Sequence, residues 1–253
     1  MSAVRIQNYI RVNAARGRET EQVGPFLATF SPHTANPFLN YEIPDAAARP
    51  TDVDARALAA AFRRRGRTPR LEYLPGIAPA VEDVLLRNGF HADDRLPLMV
   101  CPPQALIVQP APAGIELLRP RTDDEIRALL MVQHEAYDDP DPVTPERIAG
   151  LRANLRDGGL AVLARDRDTG AAAGGGNCDV IHDGIAELAG FAVSTRYRRR
   201  GIGAAITAQL TRAAHHAGAV TVFLTPDGPP EERIYARAGF RRIEEVLFLS
   251  APE

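Results

Sequence analysis

The sequence predicts an α/β (α+β) chain made of two similar halves, each a mixed, mostly antiparallel sheet flanked by helices. Three observations predict it. The second half reads, in order, as strand, two helices, three strands, helix, strand, helix, strand. A proline-rich stretch, "CPPQALIVQPAPAGIELLRP", divides the chain, because Pro102, Pro103, Pro110 and Pro112 forbid a long helix there. Residues also recur at a fixed offset across that divide. Gly89-Phe90 matches Gly239-Phe240 (239 − 89 = 150), and at the same offset Leu74, Pro79, Glu82 and Arg87 match Leu224, Pro229, Glu232 and Arg237. Domains are expected at 1–101 and 114–253, with a linker at 102–113.

Each element of the second half has a local reason. Ile115 to Leu118 is an apolar strand, and Thr122 or Asp123 can cap a helix running to about Tyr137. "DDPDPVTP" breaks that helix, and Pro145 suits the first turn of the next, to about Leu155. "LAVLAR" is a strand and "DRDTG" a hairpin turn. Alanine, glycine and valine carry a second strand to about Val180, and "IAELAGFAV" is a third. In the helix after it, Ile202, Ile206, Leu210 and Ala213 share one face, and Gly218 can end it. "AVTVFL" is rich in strand-forming residues, Glu231 to Ala238 is a short helix, and "FRRIEEVLFL" closes the domain.

Composition narrows the function. The formal charge is −2 and all 30 basic residues are arginine, so positive charge acts locally rather than as a nucleic-acid-binding surface. The run "FRRRGRTPR" lacks the aromatic or motif context of a nucleic-acid site and reads as a solvated helix end. Cys101 and Cys178 form no CxxC pair and read as reduced, buried thiols. No metal-ligand spacing and no HExxH occur. With no leader-like or membrane-spanning apolar segment, a cytoplasmic protein without membrane partners is expected.

"RYRRRGIGAA", Arg196 to Ala205, sets four arginines in five positions ahead of Gly201 and Gly203. A strand that turns tightly into a helix N-terminus is an anion site. Its first N–H groups lack intrahelical partners, the macrodipole adds positive charge, and glycine lets a ligand approach the backbone. Pyrophosphate is the natural ligand. On loop composition alone, an exposed basic turn stands beside that reading. The loop is neither G-x-G-x-x-G nor a Walker loop, but it matches R-x-x-G-x-G at Arg198, Gly201 and Gly203.

With the strand ending "FAV" and with "IYARAGF" from Ile234 to Phe240, residues 113–250 resemble the GNAT superfamily of acyl-CoA-dependent N-acyltransferases. The resemblance implies that Arg198, Arg199, Arg200, Gly201, Ile202, Gly203 and Ala204 cradle the pyrophosphate of acetyl-CoA. It implies that Phe191, Ala192 and Val193 lie beside the pantetheine arm, and that two central strands splay apart to admit the thioester. Arg199 and Thr195 depart from the family's frequent glycine and proline, which puts the loop's path in question. Tyr235 matches the family tyrosine that protonates the departing thiolate; the alternative is a packed ring with an idle hydroxyl.

Glu187 lies six residues before Val193. Strict alternation puts Glu187, Ala189, Phe191 and Val193 on one face, and a carboxylate on an apolar strand is costly unless used or paired. In histone-acetylating members a glutamate at this spacing is the general base. A strand-end glutamate near solvent is the alternative. Gly190 invites a bulge that frees a backbone N–H. His134, Tyr137 and Asp138 lie where the family's first helices meet the acceptor pocket; His215 and His216 read as surface residues at a helix end. Gly174 to Gly176 read as a narrow or bulged strand rather than a phosphate cradle.

The first half lacks the chemical parts. "ARPTDVDARALAAAF" holds no glycine, Asp52 and Asp54 would repel a pyrophosphate, and Leu85 stands where Tyr235 would be. It is therefore expected to be a degenerate GNAT-like domain without coenzyme A. The expected function is transfer of an acetyl group from acetyl-CoA to a primary amine in a ternary complex, without a metal. A non-catalytic acyl-CoA-binding sensor is the alternative. Expected partners are a small-molecule or peptide amine, with a homodimer left open.

Overall fold

The computed structural model describes residues 3–139 and 141–252. In chain order the first elements are α1 (Ala3–Ala14), β1 (Glu19–Val23), β2 (Phe26–Phe30), β3 (Asn40–Pro44), α2 (Asp52–Arg63), β4 (Arg70–Tyr73), α3 (Ala80–Arg87) and β5 (His91–Cys101). Then come β6 (Ile115–Leu118), α4 (Asp123–Tyr137), α5 (Pro145–Arg156), β7 (Leu160–Asp166), β8 (Ala172–Cys178) and β9 (Ile185–Val193). The chain ends with α6 (Ile202–His216), β10 (Thr221–Leu224), α7 (Pro229–Arg237) and β11 (Arg241–Ser250). The fold is mixed α/β.

Two compact units result: Met1–Leu98 with Ile243–Glu253, and Met99–Arg242. The expected linker, 102–113, carries only a short 3-10 turn at Pro103–Ala105 and belongs to the second unit. The expectation that β11 closes the second domain is not met. Its residues Leu247 to Ser250 pair antiparallel with Tyr73 to Arg70 of β4, so they complete the first unit's sheet. Conversely, Met99 to Cys101 of β5 pair antiparallel with Leu224 to Val222 of β10 in the second unit. The two sequence repeats thus exchange their final strands. The repeat also holds in the helices, since α2 starts at Asp52 and α6 at Ile202 (202 − 52 = 150).

In the first unit β1, β2 and β3 form an antiparallel meander, and β3 meets β4 in parallel at a single register pair, Glu42 with Leu71. The core gathers Tyr73, Phe26, Phe62, Ile43 and Leu71. Glu42 is fully buried in it, and neither carboxylate oxygen has a hydrogen-bond partner among the described residues. Burial raises its pKa well above the ordinary carboxylate value, and the nearby backbone N–H groups of Glu42 and Arg70, with the Arg70 charge, oppose this only in part. The basic run is structural here: Arg64 and Arg65 bridge to Glu21, Arg65 covers the Phe30 ring, and Arg63 donates to the Pro252 carbonyl.

In the second unit the strand order is β6-β7-β8-β9-β10, with the end of β5 outside β10. Neighbours from β6 to β9 are antiparallel, and β9 and β10 are parallel. Thr122 caps α4 in a capping box with Glu125, and Thr144 caps α5 ahead of Pro145. Gly174 to Gly176 make β8 thin enough for helices to press on both faces. A Cβ on Gly175 would collide with Leu129 of α4, and one on Gly176 would meet Leu210 of α6 at 3.1 Å. This is the narrow strand the sequence suggests.

Candidate active site

Strand β9 and the start of α6 build the site. β9 pairs with β10 only at Ile185, Ala186 and Glu187. From Leu188 to Val193 that edge has no partner in β10, whose last residue is Leu224. The parallel pair therefore opens toward the end of β9. Register places the Val193 N–H and C=O on this open edge, because Ala192 pairs with Gly175 and the Ser194 N–H already bonds Ala173 of β8. The carbonyls on this edge are engaged by side chains. The Tyr137 hydroxyl donates to the Phe191 carbonyl at 3.0 Å, and Arg198 Nε donates to the Val193 carbonyl at 3.2 Å.

The strand is bulged where the sequence suggests. Gly190 has φ +63°, and the β8–β9 register shifts between Gly175 and Asn177. Gln133 Nε2 clamps the bulge, donating to the Gly190 carbonyl at 2.6 Å and to Asn177 Oδ1 at 2.9 Å. A Cβ at Gly190 would collide with both side chains, so only glycine satisfies the dihedral and the space.

The bulge corrects the expected alternation. Val193 pairs with Gly174 and Leu188 with Cys178, on the face packed by Ile206 and Leu210 of α6. Phe191 joins that face. Ala189 pairs with Asn177 and Ala192 with Gly175, on the face packed by Leu129 and Val132 of α4. Glu187, two residues before Ala189, is on the α4 face and half-buried. It does not share a face with Phe191 and Val193, because the bulge consumes one residue. Ala192 likewise has its side chain under α4 and its backbone bonded to β8.

Tyr235 lies on the α6 side. It is 8% exposed, and its ring packs 5.3 Å from Phe191 and 6.4 Å from Phe240. Burial, with Tyr137, Asp227 and Glu231 nearby, raises its pKa above the ordinary phenol value. The Tyr137 ring is half exposed, but desolvation of its hydroxyl, followed by the same two carboxylates, raises its pKa to about 12.

The loop after β9 enters α6 through Gly201, which is left-handed at φ +84° and makes no side-chain cap. No acidic residue stands in the first turn, so the helix N-terminus offers its N–H groups outward. Arg199 is also left-handed, at φ +62°, where the resemblance expects glycine. Tyr197 anchors the loop from beneath, buried, with the Arg196 and Arg200 guanidinium groups over its ring at 4.8 and 5.5 Å. Ile202 and Ala204 point into the core, and Gly203 sits between Val193 and Ile234. The matching end of α2 is closed instead. Thr51 and Asp54 cap it in a capping box, and Asp52 and Asp54 bring negative charge.

Residues 124–240 match the model of the acetyltransferase (GNAT) family. These residues form a GNAT-family domain. No curated protein matches the chain. Among solved structures, a GCN5-related N-acetyltransferase from Kribbella flavida is 26% identical, with TM-score 0.83 over 99% of this chain and 96% of that one. A GCN5-related N-acetyltransferase from Sphaerobacter thermophilus is 17% identical, with TM-score 0.67 over 90% of this chain and 82% of that one. A tandem GNAT protein from the clavulanic acid biosynthesis pathway is 15% identical, with TM-score 0.66 over 99% of this chain and 88% of that one. The first half thus has the GNAT fold while lacking the open helix end of the GNAT domain.

Sequence reasoning missed the Gln133–Asn177 clamp, and placed Tyr137 only near an acceptor pocket. Gln133 and Tyr137 are four apart on α4, a polar pair on one helix face, and that was the available signal. Among the described residues no group of three or more His, Cys, Asp or Glu could hold a metal ion. No described helix is long and apolar enough to cross a membrane.

Proposed function

We propose that the protein is an N-acetyltransferase that moves an acetyl group from acetyl-CoA to a primary amine by direct transfer, at one site in the GNAT domain. The open, uncapped start of α6 carries this reading. It is the feature a pyrophosphate needs, and α2 has closed its own. In this reading Arg198 to Ala204 hold the pyrophosphate, and the pantetheine arm lies along the open edge at Phe191 to Val193. Tyr137 and Arg198 then give up the carbonyls they hold.

The amine must lose a proton and the thiolate must gain one. Glu187 takes the first, directly or through water, as the nitrogen–carbon bond forms. Tyr235 gives the second to sulfur as the carbon–sulfur bond breaks, and solvent restores the phenol. Its raised pKa keeps that proton in place at neutral pH. A backbone N–H at the Gly190 bulge polarises the thioester carbonyl. Direct transfer fits the cysteines. Burial pushes Cys101 up to about 11, and burial with Asp179 and Glu187 raises Cys178 further, so neither is a ready thiolate nucleophile.

Thiol release from acetyl-CoA across a panel of amines, paired with calorimetric titration of coenzyme A, tests the proposal. One coenzyme per chain and amine-dependent thiol release are expected. Binding without turnover on any amine would favour the acyl-CoA sensor instead.

A further inference from the structure

A second concave site in the GNAT domain lies away from the catalytic strand. The segment from Val108 to Ala111 borders a groove of about 390 Å³, with β6 and the middle of α6 as its other walls. Two arginines from different elements reach it: Arg212 on α6 and Arg167 in the β7–β8 hairpin. Neither forms an ion pair among the described residues. The Arg212 guanidinium meets only the Gln209 side chain, and the Arg167 side chain has no hydrogen-bond partner there. The one carboxylate on the lining, Glu116, is already paired with Arg165 at 2.9 Å. The floor is apolar, from Ile115, Leu117 and Ala208.

We propose that this groove binds a phosphate group carried on a small, partly apolar molecule. Two guanidinium groups lining one groove from separate elements suit a multi-oxygen dianion better than a single carboxylate. The volume exceeds one phosphate, and the apolar floor suits an attached ring. The groove is distinct from the start of α6, because Gln209 and Arg212 lie two to three turns further along that helix. It is not remote from it, since Pro112, one residue past the lining segment, comes within 4.0 Å of where a Gly201 Cβ would be. We assign the phosphate to a phosphorylated metabolite separate from the coenzyme, because the groove is walled by β6 and the middle of α6 rather than by the start of that helix.

Calorimetry on the full chain distinguishes this source from the coenzyme. The probes are inorganic phosphate, adenosine 3′,5′-bisphosphate, coenzyme A and 3′-dephospho-coenzyme A, all at fixed ionic strength because exposed arginines are screened by salt. Both arginines are exposed and form no ion pair among the described residues, so Arg167→Ala with Arg212→Ala should fold, which circular dichroism and thermal melting would check. The phosphate probes should bind the wild type and lose about tenfold or more for each arginine removed. If the affinity gap between the two coenzyme forms also vanishes in the variant, the groove is part of the coenzyme site and the proposal is overturned. If that gap is unchanged while bisphosphate binding is lost, the ligand is a separate molecule. Bisphosphate binding that survives the double substitution overturns the proposal. So does an absence of bisphosphate binding by the wild type. Loss of coenzyme binding alone bears on the acetyltransferase reading and leaves this site standing.

Discussion

Gly203→Ala should move stability and coenzyme affinity in opposite directions. A Cβ at this position would sit 3.8 Å from both Ile234 Cγ2 and Val193 Cγ2, an ordinary contact, and the residue is not left-handed. The folded state therefore accepts the methyl. Alanine in place of glycine inside a helix is worth about 0.5–1 kcal/mol. For a chain of this length that is roughly 1–4 °C in melting temperature. The same methyl occupies the gap between Val193 and Ile234, beside the N–H groups that would meet the pyrophosphate. Losing one charge-assisted hydrogen bond of about 1.5–3 kcal/mol weakens coenzyme binding by roughly ten- to a hundredfold. Differential scanning calorimetry and coenzyme titration measure the two effects on one sample. Gly203→Val should lose still more affinity while α6 persists. A variant that melts higher and binds coenzyme A as the wild type does would refute the assignment of this helix end.

Tyr235→Phe keeps the packing on Phe191 and Phe240, so the melting temperature should hold while kcat falls about 10²- to 10⁴-fold. Because the phenol is raised above its ordinary value of about 10, wild-type kcat should show no loss from its ionisation below about pH 10. Glu187→Gln should instead lose most at low pH, where the amine is protonated; equal losses at every pH would argue against a base. Glu42 tests the first unit. Its folded pKa is raised, so the native state keeps a proton that the unfolded chain gives up above about pH 4.5. Stability should then fall as pH rises from that value, by up to about 1.4 kcal/mol per pH unit until the folded pKa is passed. Glu42→Gln should remove this slope in denaturant titrations; an unchanged slope would assign it to another group. Expressed separately, 1–113 and 114–253 should each fail to fold, because each lacks a strand pairing supplied by the other; cooperative melting of either alone would contradict this.

Much of the GNAT domain was legible because its signals are local. Thr122 with Glu125, Thr144 before Pro145, and the glycines around α6 act within a few residues, so composition and spacing sufficed to mark those helix starts. The contrast between the two helix ends was equally local: Asp52 and Asp54 against Arg198, Gly201 and Gly203. The 150-residue offset showed the duplication, and the first residues of α2 and α6 follow it in register.

Only the tertiary structure decided which strand pairs with which. β5 and β11 both follow a Gly-Phe and both end in an apolar run, and nothing within them says whether the partner is β4 or β10. Pairing is a long-range choice made by packing, and here it exchanges the final strands of the two repeats. The faces of β9 were decided the same way. Alternation placed Glu187 with Phe191, but the bulge at Gly190 inserts one residue and turns the carboxylate to the α4 face. Its position depends on the Gln133 and Asn177 clamp, two side chains 44 residues apart in sequence that meet only when α4 packs on β8.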